Sequence, residues 1–576
     1  YTIAPTAARS GLRDASGRDV NPSVGGASGP ENSYIMDGVT TTDPAFGGSV
    51  TNLPFEFVQE VEIKTGAYGA EYGKSTGGIF NVITKSGGNE YHGDAFFYGN
   101  PKQFTRATSN FPHTGAAPNG FSEVDAGFDM GGPIKKDKLW FFGAFNPQRR
   151  QNYLLSQTFQ QDVKNTITTP FYAGKITYGL SQKHTLTFST FGDFTKQTGF
   201  LFDATQNSAF TGFGANPNSY LGSRETGGHN YTVRMNSTFS ERFIGEFAFG
   251  AHFQRNNVIP DQSVAATAAV TDNFAILQAN NTVAPVTTTD SISYVNAPGG
   301  TLQRNFLQQG FAPGLFGNQD RNRYEFSARF QNYSGRHTVK YGFEFSRSIY
   351  NINSISTGPA LTYGNPLGLG FVNGADDNQV TGFRVTNNFG VCAAKGAQIV
   401  CPSDAAAAAA ALIAEQAGFS GGAVMGPISA ADANNSPFLV LLSTRVRDFK
   451  NIASTHSNLE SFYLQDEFKL TRNIQLNGGL RFDYQQGIGN DGIEYIKLNQ
   501  TFHNMQPRVG AIWDFTGKGR GKVFANYAKY LETPIPLDLN VRAGSVNSQT
   551  DKNFNVDQYS APSGSNIVPG ISDDPT

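Results

Sequence analysis

Arg323-Tyr324-Glu325-Phe326-Ser327-Ala328-Arg329-Phe330-Gln331 is followed, after Asn332, by Tyr333-Ser334-Gly335-Arg336 and then by Val339-Lys340-Tyr341-Gly342-Phe343-Glu344-Phe345-Ser346. Tyr324, Phe326, Ala328 and Phe330 alternate with polar and charged residues in the first run. Val339, Tyr341, Phe343 and Phe345 do so in the second. Successive side chains of a strand point to opposite faces, so each run is a strand with one apolar and one polar face, and the polar tetrapeptide between them is a tight turn. The pair around Thr471-Arg472-Asn473 repeats this plan, with Ile474, Leu476, Leu480, Phe482 and Tyr484 set against Gln475, Asn477, Arg481 and Asp483. Further short turns fall at 135–138, 181–183, 240–242 and 516–521. With the strand at 90–98, these give about thirteen strands, each near the ~9–11 residues that cross a bilayer when tilted.

Between the hairpins lie long segments at 101–122, 151–168, 195–229, 256–321, 351–455 and 487–506. Loops beyond about 15 residues are unusual in compact soluble domains. Their strict alternation with short turns puts all the short connections at one end and all the long ones at the other, the arrangement of an outer-membrane barrel. Hydrocarbon offers no hydrogen bonds, so only helices and closed barrels cross it. The longest apolar run, 438–442, is far below the ~18 residues a spanning helix needs. The expected fold is therefore mostly β, an antiparallel transmembrane barrel. Its alternating strands are compatible with a mean hydropathy of only −0.35.

Composition supports this and removes other classes. The 576 residues carry 44 Lys+Arg against 46 Asp+Glu, a net charge of −2, and only 16% are charged. A chain that screens a nucleic-acid backbone needs a basic excess, so no nucleic acid is expected as a partner. Glycine numbers 65 and aromatics make up 13%, an over-supply of turn formers and interface residues. The eight His residues never form a metal-ligand spacing, and no Ser/His/Asp set or carboxylate pair stands out. No metal, cofactor or enzymatic activity is expected. Cys392 and Cys401 lie close in sequence and read as one small disulfide of an oxidising compartment, with two free thiols the alternative. Residues 405–417, Ala-rich and preceded by Asp404 as a cap, read as a short loop helix.

Residues 1–88 lack the hairpin rhythm. Here Phe57-Val58-Gln59-Glu60-Val61-Glu62-Ile63-Lys64-Thr65-Gly66 precedes Tyr68-Gly69-Ala70-Glu71-Tyr72-Gly73 and Gly77-Gly78-Ile79-Phe80-Asn81-Val82-Ile83-Thr84-Lys85, a compact α/β pattern. Gly73-Lys74-Ser75 imitates the end of a P-loop, but only three residues separate Gly69 from Gly73 where that loop needs four.

The run 58–85, with Ile35-Met36-Asp37-Gly38-Val39 upstream, resembles the plug domain of TonB-dependent outer-membrane receptors, departing from its pattern at Gln59 and in the segment 43–54. Residues 86–93 and 131–142, then 463–470, 479–484 and 506–510, resemble the Oar-like branch, which carries a carboxypeptidase-regulatory-like domain. The resemblance implies a plug over 1–88 and, over 89–576, about thirteen strands of a barrel that the family closes with about 22. The chain, opening at Tyr1 without a leader or an energy-coupling box, then reads as a fragment of a longer protein. The partners implied are outer-membrane lipid, an inner-membrane TonB-type complex and a small-molecule, glycan or peptide ligand, in the outer membrane of a Gram-negative bacterium.

Within the motif, Asp37, Gly38, Glu60, Glu62, Gly66, Tyr72, Gly73, Gly77, Gly78, Asn81, Thr84 and Lys85 are expected to shape or gate the plug. Tyr68 and Tyr72 are weak candidates for ligand contact, with plug packing the alternative. Glu60, Glu62, Lys64 and Lys85 are expected to pair with lumen-facing Arg329, Arg481 or Arg508, because a barrel interior is polar. Phe96, Phe97, Trp140, Phe141 and Phe142 read as an aromatic girdle at the lipid interface. Import of a bound ligand is the expected function. An adhesion or surface-organisation protein of the same build is the alternative, and a soluble glycan-active β protein a more distant one.

Overall fold

A computed structural model describes residues 22–105, 116–156, 161–201, 221–260, 270–271, 307–308, 316–355, 383–395, 398–400, 438–532, 534–537, 547–556 and 571–573. Two large sheets organise them, beside a two-stranded pairing of Val270–Thr271 with Leu307–Gln308. The first has four strands, β1 (Ser33–Met36), β2 (Val39–Thr40), β3 (Val58–Lys64) and β4 (Ile79–Thr84), in the order β2-β1-β4-β3. β1 runs parallel to β4, with Ser33 opposite Ile79 and Met36 opposite Val82, while β1–β2 and β3–β4 are antiparallel. Asp37 and Gly38 turn the chain between β1 and β2 with φ of +45° and +86°. Asp tolerates that region because its short polar side chain bonds locally, and Gly has no Cβ to clash. Short 3-10 turns precede β1 and β3, at Gly29–Glu31 and Phe55–Phe57.

The second sheet, of nineteen strands among the described residues, is the wall. Among the described residues, thirteen strands follow one another as antiparallel neighbours: His92–Asn100, Ala116–Lys135, Leu139–Ser156, Gln161–Ser181, His184–Gly192, Leu221–Ser240, Phe243–Pro260, Phe316–Ser334, His337–Ile355, Phe438–Lys469, Ile474–Ile488, Met505–Asp514 and Lys522–Ala528. The apolar face of the alternation points outward and the polar face inward, the reverse of a soluble sheet. On Phe316–Ser334, Phe326 is 41% exposed while Arg321 and Arg323 are buried. A wall whose outside meets lipid and whose inside meets polar chain has this inversion.

Several strands run well past the segments read as loops. Residues 151–168 are ladder, not loop: Gln151 pairs with Thr166 and Leu155 with Asp162 across Leu139–Ser156 and Gln161–Ser181. Beyond the bilayer a strand needs backbone partners but no apolar face, so Gln, Asn and Thr continue the ladder without a period-two signal. Cys392 lies in the strand Phe383–Lys395. Cys401 and the helix expected at 405–417 lie outside the described residues.

The girdle reading holds for only part of its set. Phe97 is 70% exposed on the outer face, but Phe142 is buried and packs with Ala144, Phe171, Ala173 and Phe191 of the wall against Met36, Val39, Leu53, Phe57 and Val82. Phe96 packs on the same cluster. Period two explains the split, since Phe142 and Ala144 share one face and Phe145, 40% exposed, takes the other. Trp140 donates its ring N–H to Asn89 Oδ1 at 2.7 Å.

Candidate functional site

The four-stranded sheet lies against the inner face of the wall, and charged contacts fasten it on several sides. Asp37, on the β1–β2 turn, is buried with Lys175 of the strand Gln161–Ser181. Lys175 Nζ lies 3.0 Å from Asp37 Oδ1 and also donates to the Thr84 carbonyl at 2.8 Å. The Thr84 backbone N–H donates to Asp37 Oδ1 at 3.0 Å and its hydroxyl to Oδ2. Arg234 donates to the Asp37 carbonyl at 3.0 Å. Asp37 therefore ties the end of β4 to the turn and both to the wall. A Cβ at Gly38 would lie 1.9 Å from Arg234 Nη2, so Arg234 would have to shift, but it is the positive φ of the turn that calls for glycine. Asn81 borders a cleft of about 570 Å³ that Asp37, Gly38, Lys175 and Arg234 also line.

Just after β4, Lys85 pairs with Asp129 at 3.0 Å and Asp94 at 3.4 Å. Burial alone lowers the pKa of Lys85, but the hydrogen bond and charge of Asp129 outweigh it, and the net shift is upward. The chain then crosses to the wall through Gly87, where a Cβ would sit 2.1 Å from the Phe141 carbonyl oxygen. Backbone cannot swing aside as a side-chain tip can. Gly87→Ala is therefore expected to lower stability by about 1–3 kcal/mol. The urea midpoint of the heat-modifiable, folded form on gels would measure this, and an unchanged midpoint would refute the close approach. Asn89 completes the crossing by accepting from the Asp137 backbone N–H at 2.9 Å, on the first short turn.

On another flank Asp43 pairs with Arg321, which stacks over Phe46 and Tyr350. Arg323 donates to the Thr42 carbonyl at 2.9 Å. Glu325 accepts from the Thr40 N–H at 2.9 Å and pairs with Lys74 at 3.0 Å. Residues 67–75, between β3 and β4, are held differently. Glu71 pairs with Lys340 at 2.9 Å, and Gln465 accepts from the Ala70 N–H at 2.6 Å. Arg481 donates to the Ala70 carbonyl at 3.4 Å, and Arg508 donates to the carbonyls of Tyr68, Gly69 and Tyr72.

The expected pairing of sheet carboxylates with wall arginines is thus corrected. Glu62 pairs with Lys64 along its own strand, and Glu60 is exposed. Arg329 and Arg481 pair with wall carboxylates, Arg329 with Glu344 at 2.7 Å and Arg481 with Glu344 at 3.1 Å and Asp483 at 2.9 Å. β3 is at the edge of its sheet, and its exposed face does not reach these arginines. Of the four charged residues named, only Lys85 meets the wall, through aspartates. Sequence reading missed Asp43, Glu71 and Lys74 on one side and Lys175, Arg321, Glu325 and Lys340 on the other. For the wall residues the signal was present: each occupies the polar phase of an alternating strand.

Tyr68 is 5% exposed, donates its hydroxyl to the Ser75 carbonyl at 2.9 Å and packs on Tyr530. Burial pushes its pKa up to about 12, so it stays a neutral donor. Tyr72 meets Tyr68 edge-on and lies under Lys64. Cβ atoms at Gly73 and Gly77 would meet Arg481 at 2.2 Å and Asn32 at 2.5 Å, and one at Gly78 would touch Val24. At Gly66 nothing lies within 4 Å of such a Cβ.

The family model described as Outer membrane beta barrel domain matches residues 83–160 and 146–529, and the chain belongs to that family. Its place is the outer membrane of a Gram-negative bacterium. Over 574 residues it is 28% identical to the TonB-dependent transporter Oar of Myxococcus xanthus, a match covering 90% of this chain and 48% of that protein. The chain thus spans about half the length of that relative. A stretch of 98 residues, 16% of this chain and 11% of the other, is 32% identical to the probable TonB-dependent siderophore receptor PirA of Acinetobacter baumannii. Among solved structures, the ferripyoverdine receptor of the Pseudomonas aeruginosa outer membrane matches with a TM-score of 0.49 at 12% identity, over 93% of this chain and 55% of that one.

Proposed function

We propose that this chain supplies the plug, residues 1–88, and part of the barrel, residues 89–576, of a TonB-dependent outer-membrane receptor. It binds a ligand at its outer loops and plug and imports it when an inner-membrane TonB-type complex moves the plug. The observation that carries this reading is the fastening of residues 67–75, whose wall contacts are ion pairs and hydrogen bonds to backbone. Water replaces such bonds at a net cost of about 1.5–3 kcal/mol each where one partner is charged, so a pull of modest energy lets this part of the plug leave its seat and return. Asp37, Thr84 and Lys85 then serve as the seat of the part that stays.

The test needs no knowledge of the ligand. In the full-length protein, with Cys392 and Cys401 replaced by Ser, the buried Ser75 is changed to Cys and its labelling by a thiol reagent is followed in whole cells. Labelling is expected to rise at least about tenfold with an energised inner membrane and to fall when the proton gradient is collapsed, a shift of about 1.4 kcal/mol in the opening equilibrium. Labelling indifferent to energisation would reject import and favour adhesion or surface organisation by the same fold.

A further inference from the structure

Arg508 differs from the other arginines that face the N-terminal sheet. Arg321, Arg481 and Arg234 each hold a carboxylate, and Arg323, whose contacts are carbonyls and a hydroxyl, has the charges of both Glu325 and Asp43 beside it. Arg508 is 6% exposed, yet among the described residues no carboxylate lies within ion-pair distance of its guanidinium. Its Nη1 donates to the three carbonyls of Tyr68, Gly69 and Tyr72, and its Nη2 makes one long bond to Gln506 at 3.4 Å. Its Nε is buried without a hydrogen-bond partner. The rings of Tyr68 and Tyr530 flank it, with its carbon Cζ 5.4 Å and 4.7 Å from their centres.

The guanidinium borders a cleft of about 460 Å³ between residues 67–72 and the wall. The carboxylates there are already matched, since Glu71 and Glu467 both pair with Lys340, at 2.9 and 3.1 Å. Lys64, also at the cleft, is paired with Glu62. Arg508 brings a charge that meets the Asp483 carboxylate only from beyond ion-pair distance and is otherwise offset by carbonyl dipoles and aromatic faces. A buried charge without a counter-charge is costly, and a planar guanidinium is matched best by the two oxygens of a carboxylate or another oxyanion.

We propose that Arg508 is an anion-binding group on the path through the barrel. With residues 67–75 seated, their carbonyls stand in for the oxyanion. With residues 67–75 drawn away, Arg508 faces the lumen, and the ligand that passes carries a carboxylate or a similar oxyanion. The proposal rests on the plug movement described above and adds the charge of what is carried.

The test is made in the full-length protein with Cys392 and Cys401 replaced by Ser. Ala528 stands opposite Arg508 in register, so Ala528→Cys places a thiol on the same face of the wall. Its labelling rate is measured with methanethiosulfonate reagents of equal size bearing a sulfonate or a trimethylammonium group, each normalised to its rate with free cysteine. The sulfonate reagent is expected to react at least about fivefold faster after normalisation, and Arg508→Gln to bring the ratio near one. A ratio near one in the parent, or one that Arg508→Gln leaves unchanged, would overturn the anion site. Dependence of either rate on inner-membrane energisation tests plug movement separately, so a charge preference that ignores energisation would sink the movement and keep the site. Should Ala528→Cys lose the heat-modifiable band, Asn526→Cys, opposite Gly510 on the same face, gives the same readout.

Discussion

Arg481→Met is expected to cost the wall about 3–5 kcal/mol, the range for leaving one member of a buried ion pair without its partner. Arg481 is fully buried between Asp483 on its own strand and Glu344 on His337–Ile355. Without it, Glu344 keeps Arg329, while Asp483 loses the guanidinium that donates to its Oδ1 and keeps the Gln506 amide at 2.7 Å. Methionine fills much of the volume, so the loss comes from the stranded carboxylate and not from a void. The urea midpoint of the heat-modifiable form should fall markedly. Adding Asp483→Asn should restore part of it, because the uncompensated charge goes with the cation. A single variant as stable as the parent would show that this cluster does not hold the strands together.

Lys175→Met is expected to act on the seating of the N-terminal sheet and to spare the wall. Lys175 and Asp37 are both almost fully buried, at 7% and 5% exposure, and Lys175 also serves the Thr84 carbonyl. Its own strand keeps every ladder bond, so the loss, again about 3–5 kcal/mol, falls on the contact between the sheets. A penalty of that size raises the open population by at least about a hundredfold. Labelling of Ser33→Cys, buried on β1, should quicken accordingly while the heat-modifiable mobility of the barrel stays unchanged. Equal labelling in parent and variant would remove Asp37 and Lys175 from the seat.

How much of this could be read beforehand depends on what kind of force sets each feature. The strands of the wall were legible because lipid on one side and polar chain on the other impose a period of two, as at Tyr324, Phe326, Ala328 and Phe330. Where the same strands leave the bilayer, as at Gln151 and Thr166, the constraint lapses and the pattern with it. The turn at Asp37-Gly38 was legible as a motif, but its partner Lys175 lies 138 residues away, at a spacing that no local rule fixes. Three aromatics in a row, Trp140, Phe141 and Phe142, look like a girdle and put Phe142 on the lipid side. The alternation that sends every second one inward was in the sequence, and composition masked it. Arg508 reads as a lumen residue from the sequence, but that no carboxylate among the described residues comes within ion-pair distance of it is a three-dimensional fact.

The parallel pairing of β1 with β4 has a mechanical meaning. β4 is moored at its C-terminal end, by Lys85 to Asp129 and through Asn89 to the first short turn. A pull on the chain ahead of Ser33 acts at the opposite end of the paired strands, because in a parallel pair the N-termini lie together. The load then runs along the strands as shear, and the bonds from Ser33 opposite Ile79 to Met36 opposite Val82 share it instead of opening one by one. Residues 67–75 hang between β3 and β4 outside that line of force. If the plug moves as proposed, the sheet transmits the pull as one stiff unit, and the contacts of residues 67–75 with the wall give way before the β1–β4 seam does.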